Sequence, residues 1–195
     1  MADPVIPHDG TTKSVWLNPF GLAMVAYYLV MALVGACIPD DILKANAWAR
    51  EFSDFMASIV SQIDRITAVG IKPDVNRFYF SVLWAGSPLL LFIVILMMWD
   101  AKKRGVAPLW TAPFWKTFWP ILFGLVICAF AWQVTWMVNP SLRISRFYFG
   151  NPIGRGLLGQ LLAVGPILVS PGIVLWALGW LTGYIPRNIE RQHHG

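Results

Sequence analysis

The stretch "FYFSVLWAGSPLLLFIVILMMW", Phe78 to Trp99, contains no Asp, Glu, Lys, Arg or His. A helix rises about 1.5 Å per residue, so roughly 20 apolar residues bridge a hydrocarbon layer about 30 Å thick. This run is long enough, and charge returns at both flanks: Arg77 before it, and Asp100, Lys102, Lys103 and Arg104 after it. It predicts a transmembrane helix.

Three further runs read the same way. They are "VWLNPFGLAMVAYYLVMALVGACI" (15–38), "FWKTFWPILFGLVICAFAWQVTWMV" (114–138) and "LLGQLLAVGPILVSPGIVLWALGWLTGYI" (157–185). Composition agrees, since 57% of the 195 residues are hydrophobic and 13% charged, against about 25% charged in soluble domains. The expected fold is an all-α integral membrane protein of four transmembrane helices. Residues 15–185 form the membrane domain, between polar tails 1–14 and 186–195. The segment "MADPVIPHDGTTKS" lacks a basic start and no A-x-A-like site follows the first run, so that run is expected to remain as an anchor.

Aromatic placement fits these limits. Trp115 and Trp119, and Trp132 and Trp136, are pairs four residues apart on one helix face near the two ends of the third run. Trp16, Trp84, Trp99, Trp176 and Trp180 fall near other span ends, at the headgroup depth Trp favours. "RFYF" occurs twice, at 77–80 and 146–149. A duplicated hairpin is one reading. An interfacial anchor, with Arg at the headgroups and Phe-Tyr-Phe at the boundary, is the other, and it needs no common ancestry.

Orientation follows from flanking cations. Lys102, Lys103 and Arg104 would share the cytoplasmic side with Lys13, Arg187 and Arg191, which places both termini there; the expected setting is a bacterial inner membrane. Lys72, Arg77, Arg143, Arg146 and Arg155 fall on the opposite side. The net charge of +5 belongs to these flanks, and no nucleic-acid partner is expected.

Between the first two spans, residues 41–69 carry charge throughout, so they do not cross the membrane. Ala45, Trp48, Phe52, Phe55, Met56, Ile59, Ile63 and Ile66 keep the three-and-four spacing of one helix face. One long amphipathic helix outside the bilayer is expected. The acidic Asp40, Asp41, Glu51, Asp54 and Asp64 outnumber Lys44, Arg50 and Arg65, so electrostatic attraction to anionic lipid is poor. Its apolar face, with Trp48, Phe52, Phe55 and Ile59, is expected to meet a partner protein, a second copy, or the parent bundle.

The spans lack the groups that most membrane chemistry needs. Within the four runs the only ionisable residue of the Asp, Glu, Lys, Arg and His set is Lys116, near the edge of the third. Proton relays and ion-coupled sites use such groups at depth. Gln133 and Gln160 are expected to make helix–helix hydrogen bonds. The histidines, His8, His193 and His194, sit in the tails, which disfavours haem. Cys37 and Cys128 form no C-x-x-C motif. No catalytic group, cofactor or metal is therefore expected. In the fourth run Gly165, Gly172 and Gly179 recur at seven-residue intervals with Gly183 beyond, a small-residue face for close helix packing. Pro166 and Pro171 are expected to kink or break that helix.

The function expected is a non-catalytic accessory or assembly subunit of a larger membrane complex, such as a secretion, conjugation or energy-transducing apparatus. Its partners would be other membrane subunits or a second copy, within a lipid bilayer. The alternative is a small transporter or channel built on a broken fourth helix.

Overall fold

A computed structural model describes residues 19–103, 112–135, 149 and 151–193. Among these residues the chain is all-helical, without strands. Helix α1 runs Pro19–Cys37, α2 Ile42–Ala45, α3 Ala47–Ile59, α4 Gln62–Val69 and α5 Pro73–Lys103. Helix α6 follows at Phe114–Thr135. A π-helical turn, Gly154–Gly159, then leads directly into α7, Gln160–Leu181, and α8 spans Tyr184–His193. Four segments are long and apolar enough to cross a membrane: Pro19–Cys37, Pro73–Ala101, Phe114–Trp132 and Gly154–Leu181. The four expected long apolar helices are thus present. The second begins earlier than expected, because Pro73 opens the helix with its φ already helical. The N-terminal tail, Trp16, Trp136 and most of the second "RFYF" copy lie outside the described residues, as does the Gln133 side chain.

The single long helix expected at 41–69 is three helices. Asn46 accepts the Ala49 amide as an N-cap, which restarts the chain as α3. Val60 adopts an extended backbone and ends α3, although neither Gly nor Pro marks the turn. Together α3 and α4 make a helical hairpin on the first half of α5. Their inner residues Met56, Ala57, Ile63 and Ile66 join Tyr27, Phe80 and Leu83 in one buried cluster.

The second correction concerns the fourth span. Helix α7 runs unbroken through Pro166 and Pro171, so of the kink or break expected there a break is absent. The irregularity lies instead in the π turn before it. Prolines inside α5 and α6 are also accommodated. At Pro88 the mechanism is visible: the missing N–H would have bonded the Trp84 carbonyl, and the Ser87 hydroxyl donates to that carbonyl at 2.7 Å instead.

Gly183, the first residue past α7 and its Thr182 cap, has φ 68°. That left-handed turn, which favours glycine, redirects the chain into α8. The expected polar tail therefore contains a helix, anchored by the buried Ile185.

Candidate functional site

The described residues bring polar chemistry together where α1 ends, α5 begins and the π turn lies. The last four carbonyls of a helix have no partner within it. For the Gly35 carbonyl the amide four residues on would be that of Pro39, which has no N–H. Arg155 fills the gap. Its Nε and Nη2 donate to the Gly35 carbonyl at 3.2 and 2.8 Å, and its Nη1 donates to Asn76 Oδ1 at 3.2 Å. Arg155 is 2% exposed and Asn76 is fully buried. Both acceptors are neutral. A cation at a helix C-terminus also meets the negative end of the helix dipole.

This overturns the assignment of Arg155 to a flanking loop. It is a buried cation at the head of the fourth apolar segment. One turn further on, Gln160 donates from Nε2 to the Tyr28 carbonyl at 3.0 Å, the interhelical bond expected of it.

Close backbone approach makes these bonds possible. A Cβ on Gly156 would sit 3.1 Å from the Ala32 carbonyl oxygen and 3.4 Å from its Cα. A Cβ on Gly35 would lie 2.8 Å from the Tyr79 ring, and one on Gly86 would lie 2.8 Å from the Tyr27 hydroxyl. The tight small-residue contacts of α1 are therefore Gly35, Gly86 and Gly156. Of the glycines proposed from sequence, Gly165 and Gly179 are buried, but a Cβ on Gly165 would meet only Leu161 of its own helix. Gly183 serves the turn after α7. Gly172 lines a groove of about 280 Å³ between α5, α6 and α7, with Met98, Pro120, Ile121, Leu168, Val169 and Ile173.

Helix α6 is fastened to α7 by aromatic rings. Phe114 lies 5.3 Å from both Trp176 and Trp180, and Trp176 Nε1 donates to Thr117 Oγ1 at 3.0 Å. These two tryptophans fill a helix interface. Trp84 likewise donates to Gln62 of α4. Trp115, Trp119 and Trp132 are exposed on the outside of α6.

The expected apolar stripe of α3 is divided between the bundle and the outside. Ala49, Ser53, Met56 and Ala57 are buried, whereas Trp48, Phe55 and Ile59 are each about 62–63% exposed. Phe52 is half-buried and stacks on Trp48 at 5.5 Å, and both rings meet Phe78 edge-on. The first "RFYF" copy is a packing hub. Arg77 binds Asp54 at 2.9 Å and also Asp64, Phe78 holds α3, and Tyr79 and Phe80 are fully buried. Phe149, from the second copy, packs edge-on against Phe80 at 5.5 Å.

Comparison with protein-family models, with curated proteins and with solved structures finds no match.

Proposed function

We propose that the protein is a non-catalytic accessory or assembly subunit of a larger membrane complex. It is inserted through its four apolar helices in a bacterial inner membrane, with both termini cytoplasmic. The observation that supports this reading is the groove at Gly172. Its floor is α7 (Leu168, Val169, Gly172, Ile173); its walls are Met98 of α5 and Pro120 and Ile121 of α6. Gly172 offers no side chain there, so another helix backbone can approach closely, the main source of helix affinity inside a bilayer. The occupant fitting this lining is an apolar transmembrane helix of a partner subunit or of a second copy.

Filling the groove from within should block that helix. Overpacking a close interface costs about 1–3 kcal/mol. Gly172→Leu should therefore lower recovery of the complex in mild detergent roughly tenfold. Val174→Leu, on an exposed face of the same helix, should leave recovery unchanged. The thermal midpoint of the isolated chain serves as the control. Equal recovery of both variants with the parent would remove the support for this reading.

Orientation rests on the Lys102–Arg104 cluster. Cys37 and Cys128 are free thiols, and neither is needed by the packing described, so a chain carrying Cys37→Ser and Cys128→Ala should assemble normally. In that background Ile71→Cys should react with a membrane-impermeant thiol reagent added to intact cells, and Ala101→Cys should not. The reverse labelling pattern would invert the topology.

A further inference from the structure

We propose that α3 and α4 form a re-entrant hairpin whose tip, residues 55–63, is immersed in the hydrocarbon of the leaflet facing the α1–α5 connection. Bilayer lipid then covers Phe55 and Ile59. The proposal rests on the reading that the four apolar helices cross a membrane, and goes beyond it.

The first observation is depth. Gly35, near the end of α1, lies against Tyr79, and the Tyr27 hydroxyl, further into α1, reaches the Leu83 carbonyl. Successive residues of α5 from Tyr79 onward therefore lie progressively deeper beside α1. Gln62, the first residue of α4, accepts a hydrogen bond from Trp84 Nε1. Trp84 is five residues beyond Tyr79, about 7–8 Å along the helix. The turn between α3 and α4 thus sits beside the apolar run of α5, below its mouth.

The second observation is charge. Arg77 pairs with Asp54 on α3 and with Asp64 on α4, and so clamps both arms of the hairpin at one level. Between the clamped residues the sequence is "FMASIVSQI", without a charge. The Asp40–Lys72 pair closes the α1–α5 connection, at the mouth of the bundle.

The third observation is that the backbone of the turn bonds largely within itself, as a dry medium favours, while the Gln62 Nε2 is left buried without a partner. The Val60 amide donates to the Met56 carbonyl at 2.8 Å, and the Ile63 amide to the Val60 carbonyl at 3.0 Å. The Ser58 hydroxyl turns back onto the Phe55 carbonyl at 2.7 Å. The outward flank of α3 then reads by depth. Phe55 and Ile59 lie near the tip, and Trp48, a turn and more above, sits where an indole finds the headgroups. The acidic balance of the segment is no obstacle, because this insertion is driven by apolar area and not by attraction to anionic lipid.

The test uses the full chain with Cys37→Ser and Cys128→Ala, reconstituted into phosphatidylcholine vesicles. Single spin labels are placed through Ile59→Cys, Phe55→Cys, Glu51→Cys and Val126→Cys; the last lies on the exposed face of α6. Relaxation by dissolved oxygen is compared with relaxation by a water-soluble nickel complex. The expected result is loss of nickel relaxation at Ile59 and Phe55 relative to Glu51, down to the level at Val126, with strong oxygen relaxation retained. Nickel access at Ile59 equal to that at Glu51 would overturn the proposal in favour of a hairpin in water. Exclusion of both reagents at Ile59 would overturn it in favour of a protein covering, whether a second copy or a partner. Nickel access at Val126 would overturn membrane insertion itself, a failure distinguishable from the other two.

Discussion

Arg155→Met should be the most damaging single substitution in the described part of the chain. Methionine has comparable length and no donor. It would leave the Gly35 carbonyl and Asn76 Oδ1 buried without a partner, since Pro39 has no N–H to give. Each orphaned buried acceptor costs about 1–3 kcal/mol, so the loss is roughly 2–6 kcal/mol, a large part of the margin of an ordinary domain. The expected outcome is a steep fall in monodisperse protein recovered in detergent and a lower thermal midpoint. Asn76→Leu combined with Arg155→Met should recover part of the loss, because removing both partners of a hydrogen bond costs less than removing one. Arg155→Lys should be intermediate: it keeps the charge but cannot span both acceptors with a planar fork. An unchanged midpoint for Arg155→Met would show that the three-helix junction is held by apolar packing alone.

Gly156→Leu should come second, and the informative contrast is with Gly165→Leu. At Gly156 the added carbon would press on the backbone of Ala32 at 3.1 Å, and a backbone inside a helix cannot move aside as a side chain does. The remaining side-chain atoms would have to force α1 and the π turn apart, lengthening the nearby Arg155 and Gln160 bonds. Overpacking of this kind costs about 1–3 kcal/mol, more where polar bonds break with it. At Gly165 the same carbon would meet only the Leu161 side chain at 3.6 Å, an ordinary contact. Gly156→Leu should lower the thermal midpoint and Gly165→Leu should not. Equal effects would mean that the glycine spacing in α7, rather than the crossing with α1, sets the packing.

The four spans were legible because an uninterrupted apolar run needs no knowledge of its neighbours. Phe78 to Trp99 announces itself by length and by flanking charge alone. What the junction requires is spread across the chain. Arg155 looks like any basic residue ahead of a hydrophobic run, and its burial depends on a carbonyl 120 positions away whose usual donor is a proline. The signal in the sequence is the pairing of Gly35 with Pro39, a helix end with one acceptor left open. In the hairpin the apolar spacing continued through Val60 and Ser61, so nothing in the periodicity marked a turn. The sequence leaves open what the large apolar side chains of α3 meet; Trp48, Phe55 and Ile59 stay exposed, and Ala49, Ser53 and Ala57 are the residues small enough to let α3 lie close against α5.

The central claim is that a partner helix occupies the groove between α5 and α6. It is tested most directly in native membranes, with a photocrosslinking amino acid placed at Met98 on the groove wall and, separately, at Val30 on the exposed face of α1. Illumination should give a discrete protein adduct of higher mass from Met98 and none from Val30. Lipid adducts alone from Met98, as from Val30, would contradict the assembly-subunit reading.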